Sequence, residues 1–159
     1  MNVPVCSYDV LIFHETWLNS NFYDGELNLL QYNIYRKDRS SDTSVCERGR
    51  GVLIAVRKSI ASRILETPGN IEQLFVVLGS GNSSLILEAV YLPPRSRATA
   101  YTTFCDTLDT LFKKFPSSNF HVLGDFNLLN STWETAPLSS TITAAHGTPL
   151  EEVPSVHEL

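Results

Sequence analysis

Apolar and polar positions follow two periods along this chain, and the periods divide it into elements. Residues 8–14 form a nearly unbroken apolar run, the pattern of a strand covered on both faces. Residues 52–56, 73–78, 85–91 and 120–123 read the same way, with shorter strand patterns at 32–35 and 61–66. Turn-forming residues separate them. Asp24-Gly25, Pro68-Gly69-Asn70 and Gly79-Ser80-Gly81-Asn82 each mark a reversal, the last a hairpin-type connection. Gly49-Arg50-Gly51 lets the chain enter the 52–56 strand at a sharp angle, and Pro93-Pro94 ends the 85–91 strand because proline cannot donate to a ladder.

The period changes once. Between 99 and 115, Tyr101, Phe104, Cys105, Leu108, Leu111, Phe112 and Phe115 fall at i, i+3, i+4, i+7, i+10, i+11 and i+14. That spacing predicts a helix with one apolar face packed on a sheet. Lys113 and Lys114 suit the negative end of its dipole, and Pro116 follows. After Trp133 no period is sustained. Residues 134–159 contain no aromatic residue and no Lys or Arg, and are expected to be a poorly ordered acidic tail behind a domain at 1–133.

Composition adds limits. The chain has 159 residues, enough for one domain with a real core, and 43% apolar content is ordinary for a globular protein. No run reaches the length of a membrane span, so no membrane partner is expected. Its three cysteines, Cys6, Cys46 and Cys105, are too scattered for a disulfide framework or a zinc site and read as free thiols. The net charge of −5 does not suggest a nucleic-acid binder, but the charge is uneven. Residues 36–63 carry eight basic side chains against three acidic ones, a net +5, including Arg48 and Arg50. This segment is either a solvated loop and strand edge or a surface that faces phosphates.

Three predicted strands end in polar groups. Glu15-Thr16-Trp17-Leu18 follows the first, Tyr91-Leu92-Pro93-Pro94 ends another, and Gly124-Asp125-Phe126-Asn127 follows the last. Read singly, Glu15 is equally a helix-start acid, Tyr91 a half-buried strand tyrosine and Asp125 the acceptor of an Asx-turn. Together and in this order they resemble the endonuclease/exonuclease/phosphatase superfamily. They come closest to the apurinic-type endonuclease domain of non-LTR retrotransposons. Arg48-Gly49-Arg50-Gly51-Val52 is similar to the glycine-rich strand entry of that branch, and Leu128-Leu129-Asn130-Ser131-Thr132-Trp133 to its continuation after the central motif, with Leu129 where proline is common. The likeness covers about residues 8–133.

The resemblance implies an α/β sandwich of two stacked sheets, the DNase I-like fold. It also implies Mg²⁺- or Mn²⁺-dependent hydrolysis of a phosphodiester, most specifically nicking of DNA. In that scheme Glu15 binds the metal, and Asp125 aligns and deprotonates the attacking water or shares the metal. Asn127 positions phosphate or water, and the Tyr91 hydroxyl lies near the scissile phosphate. Arg48 and Arg50 would face nucleic acid. The parent element would also carry a reverse transcriptase and work inside the cell, in the nucleus. Two family features have no counterpart here: an upstream strand ending in asparagine, and a later Ser-Asp-His. His14 and His121 read as strand residues, and His146 and His157 lie in the tail. The resemblance therefore implies a domain incomplete at both ends, with open strand edges and low activity on its own. A phosphoesterase acting on RNA, nucleotides or phosphoinositides, and a non-catalytic chain that binds nucleic acid weakly, are the alternatives.

Overall fold

The computed structural model describes residues 8–38, 51–68, 71–79 and 84–128. Two sheets stack on each other. The first contains β1 (Val10–His14), β2 (Tyr32–Lys37) and β3 (Val52–Arg57) in the order β1-β3-β2, all antiparallel. The second contains β4 (Ser62–Leu65), β5 (Glu72–Leu78), β6 (Leu85–Tyr91) and β7 (Asn119–Asp125) in sequence order. Its last pair, β6 and β7, is parallel, so the chain must cross over between them. The crossover is α1 (Ala98–Lys114), one residue from the span that the apolar period predicts.

Alternation along the strands explains why their sequences are apolar throughout. Val52, Ile54 and Val56 of β3 point between the sheets, where they meet Leu74, Val76 and Leu78 of β5 and Leu87, Ala89 and Tyr91 of β6. Leu53 and Ala55 point the other way and are covered by Leu18, Leu27 and Leu29 from the connection after β1. That connection holds a short 3-10 turn, Asp24–Leu27, where Asp24-Gly25 signals a simple reversal. On the far face of the second sheet, α1 covers Phe75, Val77 and Ile86 with Leu111, and Val90 and Leu92 with Phe104. Both faces of the central strands are thus buried, and neither could tolerate a polar period.

One residue breaks this rule. Glu88 of β6 is fully buried between Ile86 and Val90 on the helix-covered face, and neither carboxylate oxygen has a hydrogen-bond partner. Gln73, diagonal to it on β5, is also buried with its amide unpartnered. Burial pushes the Glu88 carboxyl up to about 8, so it is protonated at neutral pH. Cys105 packs from α1 onto the neighbouring cluster. Burial raises its thiol pKa, and nearby acidic groups add to this, as expected of an unreactive packing cysteine.

The described strands run one or two residues off their sequence-predicted limits, which is the ordinary uncertainty of strand ends. The tail at 134–159 and the Trp133 motif lie outside the described residues, as do Cys6 and Cys46.

Candidate active site

Strand register places three polar residues in one row at one end of the second sheet. Glu72 of β5 pairs with Tyr91 of β6, and Tyr91 pairs with Asp125 of β7. Directly paired residues share a face. The Tyr91 ring belongs to the core between the sheets, so the row faces the first sheet. There β1 ends in His14 and Glu15. The Tyr91 hydroxyl donates to Glu15 Oε1 at 2.7 Å, across the gap between the sheets. His14 Nε2 lies 3.2 Å from the Leu123 carbonyl oxygen, tying the end of β1 to β7. Glu15, Tyr91 and Asp125 therefore converge, although 76 residues separate the first two in sequence.

Asn127 closes the row. Its backbone N–H donates to Asp125 Oδ1 at 3.2 Å, and its side-chain amide donates to the Leu92 carbonyl at 3.1 Å. The Asx-turn reading of Asp125 is thus correct for one oxygen and leaves Oδ2 available. The loop is fixed from behind by α1. Tyr101 donates its hydroxyl to the Phe126 carbonyl at 3.0 Å, and the Phe126 ring meets Phe104 edge to face at 5.4 Å.

Backbone conformation marks the same end of the molecule. Among the described residues five non-glycines have positive φ, and four of them, Glu15, Trp17, Arg95 and Asn127, lie within four residues of the ends of β1, β6 and β7. Such conformations cost of order 1–3 kcal/mol each and persist where surrounding contacts over-determine them. The helix-start reading of Glu15 is excluded, because residues 15–19 are not helical.

Two glycines are required by close approach. A Cβ on Gly124 would lie 2.5 Å from Val90 Cγ1 and 2.9 Å from the Val90 carbonyl oxygen. Gly124→Ala is therefore expected to push β7 off β6, costing roughly 1–3 kcal/mol as overpacking does. It should also move Asp125, which thermal melts and an activity assay together would show. A melting temperature unchanged from wild type would contradict this packing. Gly51, at φ 92°, has Thr16 Oγ1 2.7 Å from the position of a Cβ. Its N–H donates to Glu72 Oε2 at 2.9 Å.

Glu72 is the site residue that the sequence reading does not single out. It sits one residue before the apolar run at 73–78 and looks like an ordinary strand-start polar residue. Only its pairing with Tyr91 reveals a buried carboxylate within the row. Lys37, half-buried at the end of β2, has its ammonium pKa lowered by burial, an effect that Glu66 and Glu72 partly offset.

The basic segment divides. Arg48 and Arg50 lie outside the described residues. Of the others, Arg36 pairs with Asp24 at 3.4 Å and Asp38 at 3.2 Å, and Arg57 with Asp9 at 3.1 Å, so both brace the first sheet. A cleft of about 650 Å³ lies at the opposite end of the second sheet, lined by Arg63, Ser84, Lys114 and Ser118. The candidate site is instead an open shelf at the strand ends.

The donor set suits a hard divalent cation held loosely. Glu15 and Asp125 are exposed carboxylates on rigid strand ends. Among the described residues no three His, Cys, Asp or Glu side chains converge as a metal cluster. A cation here would take one or two carboxylates and otherwise water, the coordination that Mg²⁺ prefers.

No family model matches the chain, and no curated protein matches it in sequence. Solved structures do. The endonuclease domain of TRAS1, a telomere-specific non-LTR retrotransposon, superposes with a TM-score of 0.53 at 13% identity, over 79% of this chain and 49% of that one. The human Nocturnin catalytic domain, solved with a bound sulfate anion, gives 0.50 at 16% identity, over 76% of this chain and 51% of that one. The chain spans about half the length of each of these solved chains. With its two stacked sheets and the β6-α1-β7 crossover, the protein has the DNase I-like fold of these neighbours.

Proposed function

We propose that the shelf at Glu15, Tyr91, Asp125 and Asn127 is a divalent-metal phosphodiester-hydrolysis site, and that its substrate is DNA. The observation that carries this reading is the 2.7 Å hydrogen bond from Tyr91 to Glu15, with Asp125 next to Tyr91 in the ladder. It brings a metal-binding carboxylate and a candidate base to the ends of facing strands.

Each group suits a part of the chemistry. A cation on Glu15 would neutralise charge on the phosphate and on the leaving oxygen. Tyr91 orients Glu15 and presents a phenol at the same place. Asp125, with one oxygen held by Asn127 N–H, keeps the other to align and deprotonate water. The Asn127 amide is anchored on Leu92, and an amide can orient a phosphate oxygen or a water without titrating. DNA is favoured over other phosphodiesters by the Trp17 and Trp133 contexts, which resemble those of the retrotransposon branch. The TRAS1 endonuclease domain is one of the structural neighbours. A nuclear setting and a reverse transcriptase in a longer polyprotein belong to the same proposal.

Nicking of supercoiled plasmid tests it. Relaxed circles are expected to accumulate slowly with Mg²⁺, to stop on addition of EDTA and to resume when Mg²⁺ is restored. Nicking that survives full chelation would rule out the metal-dependent mechanism.

A further inference from the structure

We propose, on the reading of Glu15 as the metal-binding carboxylate, that Glu72 is a positioning residue of the same site. Acting through Gly51 and Thr16, it holds Glu15 where a cation can be bound.

Glu72 occupies the first position of β5 and is 3% exposed. A carboxylate taken out of water is costly unless donors surround it, and a strand end that needs only apolar cover gains nothing from one. One donor is Gly51, whose N–H gives a hydrogen bond to Glu72 Oε2 at 2.9 Å. The bond crosses between the sheets, from β5 to the residue that opens β3. An N–H bound to an ionised carboxylate is held roughly twice as strongly as one bound to a neutral acceptor.

Gly51 passes the constraint on. Its carbonyl accepts from Thr16 N–H at 3.2 Å, just beyond the His14–Val52 pair of the β1–β3 ladder. The approach is close enough that a Cβ on Gly51 would lie 2.7 Å from Thr16 Oγ1. The residue before Thr16 is Glu15, at φ 53°. A non-glycine keeps such a conformation where neighbouring contacts over-determine it. Here the backbone is held at Thr16, and the side chain by Tyr91 O–H, which donates to Oε1 at 2.7 Å.

These contacts close a ring. Glu72 and Tyr91 are partners in the β5–β6 ladder. Each makes one hydrogen bond across the gap, Glu72 to Gly51 and Tyr91 to Glu15, and on the far side Thr16 joins Gly51 to Glu15. Two struts on a paired base fix direction as well as position, whereas Tyr91 alone would leave Glu15 free to turn. Glu72 is buried where Glu15 and Asp125 are exposed, so its part is to place a ligand and not to be one.

A carboxylate that served only the architecture would change stability when replaced and leave the metal affinity of the folded chain alone. Mn²⁺ titration, backbone hydrogen exchange by NMR and the Mg²⁺ dependence of plasmid nicking therefore test the proposal together. In Glu72→Leu the Mn²⁺ Kd at Glu15 and the Mg²⁺ concentration for half-maximal nicking should both rise about tenfold, the scale of one lost hydrogen bond to a charged group. The rate at saturating Mg²⁺ should stay within about threefold, because the loss is in binding. The Thr16 amide should exchange about tenfold faster in the same variant. Glu72→Gln keeps an acceptor for Gly51 without the charge and should lose only about threefold on each measure. Gly51→Ala cuts the relay one step later, and adding Glu72→Leu to it should cost little more, since both act on one contact. Mn²⁺ affinity and Thr16 exchange unchanged in Glu72→Leu overturn the proposal, as do effects of the two changes that simply add. Should leucine unfold the chain, glutamine decides alone, and values equal to those of the wild type overturn it. A wild type that binds no Mn²⁺ at Glu15 refutes the metal reading instead. Thr16 exchange then still decides whether Glu72 fixes Glu15, with faster exchange in the variants for it and unchanged exchange against it.

Discussion

Asp125→Asn is expected to slow Mg²⁺-dependent nicking by about 10²–10⁴-fold, the range that a positioned general base contributes. The substitution keeps the shape of the side chain and leaves an oxygen to accept the Asn127 N–H, so the turn after β7 survives. What it removes is the basic oxygen and half of the negative charge that the shelf offers a cation. Because Asp125 is exposed, the melting temperature should stay close to that of the wild type. A rate within tenfold of wild type, at equal Mg²⁺, would remove Asp125 from the chemistry.

Glu88→Gln is expected to remove a fall in stability between pH 4.5 and 8. The folded carboxyl is raised to about 8 from an ordinary value of 4.5, and burial is the cause. In that interval the folded state holds a proton that the unfolded state has lost. Stability is therefore full below pH 4.5 and declines as pH rises through 8, by about 1.4 kcal/mol per unit where the slope is complete. The total is on the order of a few kcal/mol, a large fraction of the stability of a domain of this size. Glutamine fills the same space and does not titrate. Denaturant melts of the two proteins at several pH values should converge below pH 4.5, diverge between 4.5 and 8 and run parallel above, with the variant more stable. Curves parallel at every pH would mean that Glu88 finds a partner or water on ionisation.

Most of the fold could be read from the sequence because burial on both faces writes itself into the strands. The runs at 52–56, 73–78 and 85–91 are apolar at every step except Gln73 and Glu88, and the helix stripe is apolar at every third and fourth, so these elements are visible without a structure. Glu15, Tyr91, Asp125 and Asn127 were visible because each follows such a run and together they form a known motif order. Their convergence was not. The Tyr91–Glu15 hydrogen bond joins two sheets, and no local pattern encodes how sheets stack. Glu72 was hidden for the same reason, since its importance arises from cross-strand pairing. Glu88 was hidden inside an apolar run, where a single carboxyl is a small departure in sequence and a large one in energy. The basic segment shows the opposite error of scale. Counting charges over 36–63 merges Arg36 and Arg57, which bind carboxylates of the first sheet, with arginines whose role the count cannot distinguish.

The claim on which the functional account rests is that a divalent cation binds at the strand ends, on Glu15. Titration with Mn²⁺, followed by paramagnetic broadening of backbone NMR signals, measures this without requiring turnover. Broadening should centre on Glu15, Tyr91 and Asp125, saturate with modest affinity because water supplies most of the ligands, and be lost in Glu15→Gln. Broadening that is unchanged in that variant, or that centres on another part of the molecule, would contradict the account.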